Sequence, residues 1–229
     1  MDSNIKKPII VAYGGTLDAY SDTLAPSNSF LAPLWKFLKQ WLWTYRRDTV
    51  DSSTRTGYYL FKAVKYLKDH YKITSDDLQL NFWGLIREGN KVLAEEWEIT
   101  DIVKFGGYCS KQESLAKLAE ADIMFLPLER GTNGQQTLFI PGKLYEYLNL
   151  GKPILALAEP SDCQEIIIKS GLGIVITPND EKLIGENLLN IIRDRNILTQ
   201  YKPNKTYIEE FNSKLLVGKL ARIFDELLS

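Results

Sequence analysis

Six short apolar runs punctuate the chain at regular intervals, and each is followed by a segment of helical periodicity. The runs are "PIIVAYGG" (8–15), "DLQLNFWG" (77–84), "IVKFGGY" (102–108), "DIMFLPL" (122–128), "PILALAE" (153–159) and "GIVITP" (173–178). Their character is continuous rather than alternating, which is what strands buried on both faces need. The helix-patterned segments are 56–70, 91–98, 111–120, 142–150, 161–170 and 180–193, and an amphipathic stretch over 212–228 closes the chain. Strand and helix in strict turn predict an α/β fold with a parallel sheet covered on both faces. Right-handed crossovers make that a Rossmann-like, doubly wound domain over 1–229.

The first strand and its helix are separated by an insertion, 18–54, far longer than a usual βα connection. Its middle, "FLAPLWKFLKQWLWTYRR" (30–47), places Phe30, Leu34, Trp35, Leu38, Trp41 and Tyr45 on one helical face. Lys36, Lys39, Arg46 and Arg47 lie on the other, with Trp43. Two readings stand for this amphipathic helix. Its Trp, Phe and cations suit peripheral contact with an anionic membrane surface. Its apolar arc equally suits another protein surface.

The 229 residues hold 45% apolar and 25% charged residues. That balance is ordinary for a globular domain. A net charge of −1 gives no basic field, so nucleic acid is not an expected partner. Two cysteines and one histidine cannot assemble a Cys/His metal site, and no metal ligands are assigned. "MDSNIKKPII" lacks a secretory apolar core and no uncharged 18-residue run occurs, so a cytoplasmic chain is expected, peripheral at most to the inner face of the cell membrane.

In an open parallel sheet, ligands bind outside the carboxyl ends of the strands. Three loops here sit at such ends. In "YGGTLD" (13–18), Gly14 and Gly15 let backbone approach a ligand, with N–H groups for phosphate, or simply make a tight turn. In "GGYCS" (106–110), Tyr108 can pack on a flat ring such as a nucleobase, or be an ordinary edge aromatic. In "FIPGKLYEYLNLGKPILAL" (139–157), Pro141 and Gly142 open a helix whose first N–H groups attract an anion. Lys143 adds a positive charge there. Glu146, one turn on, can accept two hydrogen bonds from a vicinal diol. Phosphate at the helix end and ribose one turn deeper describe a nucleoside diphosphate. A plain Lys143–Glu146 surface ion pair is the alternative.

The segment "PGKLYEYLNLGKPILAL" resembles the signature of the nucleotide-binding C-terminal half of GT-B glycosyltransferases, in particular family 4 and its relatives (glycosyl transferases group 1). "IVKFGGYCSKQESLAKLAEADIMFLPL" and "GLGIVITPND" resemble the flanking blocks. The resemblance implies a donor site for a UDP- or GDP-linked sugar, without a cofactor or a metal. It assigns Glu146 to the ribose hydroxyls and Pro141, Gly142, Lys143 and Leu144 to the diphosphate loop. Gly15 and Thr16 fall under the phosphates and sugar, and Tyr108 beside the base. Members commonly place an acid eight residues before the ribose-binding one; Leu138 stands there. They also carry a basic residue in the first loop, which is missing here. Arg55 is the candidate replacement, acting with Lys143 as the catalytic pair, and Arg130 is its rival. The polar run 132–137 would border the sugar.

The implied activity is a retaining, metal-independent transfer of a sugar to a glycan or lipid-linked hydroxyl. The N-terminal acceptor-binding domain of such enzymes has no counterpart in this sequence, so a partner domain or chain is expected and the isolated domain should bind donor without turnover. Two other readings are a sugar-nucleotide 2-epimerase-like enzyme and a non-catalytic nucleotide-sensing or membrane-docking module.

Overall fold

The computed structural model describes residues 7–18, 50–51, 54–131 and 136–228, with the backbone alone at 50 and 51. The helix expected over 30–47 and most of the polar run 132–137 lie outside the described residues.

All six expected strands are present, as β1 (Ile9–Gly14), β3 (Leu78–Trp83), β4 (Val103–Phe105), β5 (Ile123–Pro127), β7 (Ile154–Leu157) and β8 (Gly173–Ile176). They form one parallel sheet in the order β4-β3-β1-β5-β7-β8. Counted within the sheet, that is the 3-2-1-4-5-6 order of a doubly wound nucleotide-binding fold, with its topological switch between β1 and β5. Two short strands escaped the sequence reading. β2 (Val50–Asp51) and β6 (Arg130–Gly131) pair antiparallel, tying the end of the insertion to the loop after β5.

Both sheet faces are buried, and the side chains alternate between them. Ile9, Val11 and Tyr13 of β1, Phe125 of β5 and Leu155 of β7 pack toward α1 (Tyr58–Tyr71), α2 (Glu88–Glu96) and α6 (Glu181–Arg193). Ala12, Met124, Leu126 and Ala156 pack toward α3 (Lys111–Glu120), α4 (Gly142–Leu150) and α5 (Asp162–Lys169). The helix starts follow local chemistry. Ser110 and Glu113 form a reciprocal capping box on α3, and Ser161 and Asp180 cap α5 and α6. Gly151 ends α4 in the left-handed conformation.

After a 3-10 turn (Arg195–Gln200) and the short α7 (Lys205–Glu209), α8 (Ser213–Leu228) closes the chain. None of its residues is buried, and Leu220, Ile223, Phe224 and Leu227 are all exposed.

Candidate active site

The carboxyl end of β1 carries Tyr13, Gly14, Gly15 and Thr16 to the switch point. Gly15 has φ +131° and needs to be glycine. The loop after β3 presses against it: a Cβ on Gly84 would lie 2.3 Å from the Gly15 carbonyl oxygen. The N–H groups expected to be free for phosphate are engaged. Gly15 N–H donates to Trp83 O (2.9 Å) and Gly14 N–H to the Tyr147 hydroxyl (3.4 Å). In this structure both N–H groups have partners within the chain, and the two glycines shape the crevice.

α4 points its N-terminus at the same place. Pro141 opens it in an extended conformation, and no side chain caps it. The first-turn N–H groups of Gly142 and Lys143 precede the first helical bond, from Leu144 N–H to Pro141 O (2.9 Å). Leu144 itself turns inward, fully buried in the core. Of the four residues expected along the diphosphate loop, it serves as the anchor of the helix.

Two cavities lie beside the loop after β1 and share Thr16 in their linings. The first, about 220 Å³, is lined by Tyr13, Thr16, Arg55, Leu126, Pro127, Phe139, Pro141, Gly142 and Lys143. The second, about 280 Å³, is lined by Gly14, Gly15, Thr16, Gly84, Leu85, Tyr108, Cys109, Lys111, Ser114 and Glu146. Lys143 and Glu146, one turn apart on α4, thus serve different cavities and do not form the surface pair their spacing allows. Lys143 donates to the Tyr13 hydroxyl, with its Nζ 3.7 Å from the Tyr13 ring centroid. Glu146 pairs with Lys111 (2.8 Å). Burial, reinforced by the neighbouring Arg55, lowers the Lys143 amine to about 7, against a weaker opposing pull from Glu146 and Asp18. Burial also raises the phenols of Tyr13 and Tyr147, so both stay neutral.

Arg55 reaches the first cavity from the turn before α1. It is held by Asp18 (3.1 Å) and Glu129 (3.8 Å) and lies 5.9 Å from the Phe139 ring centroid. Thr54 fixes that turn by donating to Leu128 O (2.7 Å). Arg130 instead approaches Glu159 (4.0 Å) and does not line the cavity. Tyr108 is 88% exposed at the rim of the second cavity, free to cover a planar ligand. Leu138 is exposed as well. His70 stacks on Tyr66 in the last turn of α1, at the opposite end of the sheet from the cavities.

The sequence reading missed Tyr13, Phe139 and Lys111. The signal for Tyr13 was its polar tip, placed at the end of an otherwise apolar strand beside Gly14. For Lys111 none existed, because its partner lies on another helix. Among the described residues, no group of three metal-ligating side chains is placed to hold a metal ion, and no helix is long and apolar enough to cross a membrane.

A doubly wound parallel sheet with a crevice at its switch point defines a Rossmann-like α/β domain. More narrowly, the chain belongs to the glycosyl transferases group 1 family, whose model matches residues 54–194. It is 24% identical over 140 residues to WcaL of Salmonella typhimurium, provisionally named a colanic acid biosynthesis glycosyltransferase. That match covers 60% of this chain and 34% of WcaL, so the chain spans about a third of the curated relative. The sucrose-phosphate synthase of Thermosynechococcus elongatus superposes with a TM-score of 0.61 at 16% identity, covering 98% of this chain and 46% of that one. Anabaena HepE, solved with UDP and glucose, superposes with a TM-score of 0.54 at 14% identity, covering 97% and 49%. These likenesses bear out the expected Rossmann-like α/β fold, which the GT-B glycosyltransferases share.

Proposed function

We propose that this chain is the donor-binding domain of a retaining, metal-independent glycosyltransferase acting on a nucleoside-diphosphate sugar. The observation that carries the reading is the division of labour on α4. One turn of helix sends Lys143 into a cavity with Arg55 and Glu146 into a second cavity with Tyr108, and Thr16 lines both. A nucleoside diphosphate has the matching layout: base against Tyr108, ribose hydroxyls on Glu146, diphosphate beside Gly15 and the start of α4, and sugar toward Phe139. Family membership, and the UDP and glucose in HepE, point the same way.

In the reaction, the bond from the anomeric carbon to the diphosphate oxygen breaks as an acceptor hydroxyl forms its bond to that carbon on the same face, and the hydroxyl proton passes to the departing diphosphate. Negative charge grows on the leaving phosphate. Lys143, Arg55 and the uncapped N-terminus of α4 offset that charge. Asp18 and Glu129 hold Arg55 in place so that it need not reorganise. The acceptor, a glycan or lipid-linked hydroxyl, would be held by a second domain or chain. The exposed apolar side of α8 supports such a docking partner.

Leu138, exposed where the family resemblance leads one to expect an acid, favours a second reading as a nucleotide-binding module without turnover. Calorimetric titration with UDP, GDP and pyrophosphate tests the first step for both. Saturable binding of one nucleotide is expected, weakened at least about tenfold by Glu146→Ala, with pyrophosphate binding unchanged. If no nucleotide binds, or if Glu146→Ala leaves binding intact, the donor-site reading fails. Donor hydrolysis in the presence of the acceptor half separates enzyme from sensor.

A further inference from the structure

Tyr13 is 1% exposed, yet its hydroxyl is used twice. The O–H donates to the Thr16 carbonyl, and the oxygen accepts from Lys143 Nζ. A phenol has one proton. With that proton on the carbonyl, the oxygen can only accept, so Lys143 is the donor in their contact in either protonation state. The ring is held between Phe82 and Phe125, at centroid distances of 6.0 and 6.2 Å, and supports the amine from below. Gly15 closes the other side, where a Cβ would stand 2.8 Å from Nζ. A phenylalanine would fill the same apolar slot without burying a polar group, so packing alone does not account for the hydroxyl.

We propose that Tyr13 is a positioning residue: anchored on the Thr16 carbonyl, its hydroxyl holds the Lys143 amine at the mouth of the first cavity, in the orientation a diphosphate meets. The ligand in this inference rests on the donor-site reading above; the geometry does not. Without the hydroxyl, the amine loses the one acceptor that holds it among the described residues and is left over an apolar ring that stabilises its charge less. The charged groups that act on it are Arg55 from the turn before α1, Asp18 from the loop after β1 and Glu146 on its own helix, and Glu129 pairs with Arg55.

The test begins without any ligand. Lys143 is labelled with acetic anhydride from about pH 5.5 to 9 and read by peptide mass spectrometry, with surface lysines as internal controls. An oxygen that accepts from the charged amine favours the charged form. Tyr13→Phe should therefore move the Lys143 labelling midpoint to lower pH and raise its labelling near pH 6.5 roughly threefold, with the control lysines unmoved. Tyr13→Met, which fills the slot flexibly and also lacks the hydroxyl, should do the same and replaces the Phe variant if that one does not fold. An unchanged midpoint in the folded variant overturns the proposal.

The second arm is a UDP titration of the wild type, Tyr13→Phe, Lys143→Met and the double variant. Tyr13→Phe should weaken UDP about tenfold in the wild-type background and have no further effect once Lys143 is methionine. Equal weakening in both backgrounds would make Tyr13 a fold residue only and overturn the proposal. If the wild type binds no UDP, the donor-site reading fails on its own and the labelling result decides the role of Tyr13.

Discussion

Lys111 Nζ stands 2.8 Å from Glu146 Oε1, so the acid proposed for ribose is already engaged, by a cation from the first turn of α3. A ribose must displace that amine. Lys111 is well exposed and Glu146 half-buried, so the pair is weak and screened by salt. Lys111→Gln should raise UDP affinity about two- to threefold at low ionic strength and leave pyrophosphate binding unchanged. The gain should vanish near 0.5 M salt, where the Debye length has fallen to about 4 Å. A fall in UDP affinity would instead show Lys111 reaching the nucleotide itself.

Lys143 links stability and binding in opposite directions. Its amine titrates at about 7 in the folded chain, against an ordinary 10.5. Between those values the unfolded chain holds a proton that the folded chain does not, so this residue makes stability rise with pH across that window. Below about 7 its cost is present in full. Lys143→Met should therefore stabilise the ligand-free protein by roughly 1–3 kcal/mol at neutral pH, about 2–4 °C in melting temperature per kcal/mol, with the advantage fading toward pH 10. The same variant should lose nucleotide binding by about a hundredfold. A destabilised Lys143→Met protein would mean that the amine is better solvated than its surroundings indicate.

The frame of this fold was legible because its strands are apolar throughout and its helix ends carry their own chemistry. Ser110 with Glu113, and Gly151 before Pro153, mark boundaries that the structure reproduces to the residue in α3 and α4. The residues of the site were legible as types at loop ends, but their pairings were not. Lys143 and Glu146 invite each other by spacing, yet one meets Tyr13 from β1 and the other Lys111 from α3. Such partners are set by how layers stack, which local periodicity does not encode. The β2–β6 ribbon was illegible for a related reason: two residues on each side carry no pattern.

Two glycines at the same edge of the sheet should respond very differently to alanine. Gly84 has φ +113° and its added Cβ would meet the Gly15 backbone, which cannot move without disturbing the crevice. Gly107 has φ +72° and open space around it. Urea denaturation should show Gly84→Ala losing about 3 kcal/mol or failing to fold, and Gly107→Ala losing only the left-handed conformational cost of about 1–2 kcal/mol. Comparable losses at the two positions would mean that the β1 and β3 loops are not in contact.

Asn90 joins the supports of Arg55. It is fully buried in α2, accepts from Gly57 N–H (3.2 Å) and donates to Asp18 O (2.9 Å) and Arg87 O (3.3 Å). Gly57 lies two residues after Arg55, and Asp18 is the carboxylate that pairs with it. One amide thus fixes the backbone on both sides of that ion pair. Asn90→Leu leaves the Gly57 N–H and the Asp18 carbonyl without this partner, at a cost of about 2–4 kcal/mol. Asn90→Asp keeps the acceptor for Gly57 but turns repulsive oxygen toward the Asp18 and Arg87 carbonyls, so it should be no better. In both variants pyrophosphate affinity should fall about three- to tenfold at a temperature where they remain folded, because Arg55 loses its fixed approach to the cavity. Lowered stability with unchanged pyrophosphate binding would show that Thr54, through its bond to Leu128, is sufficient to place Arg55.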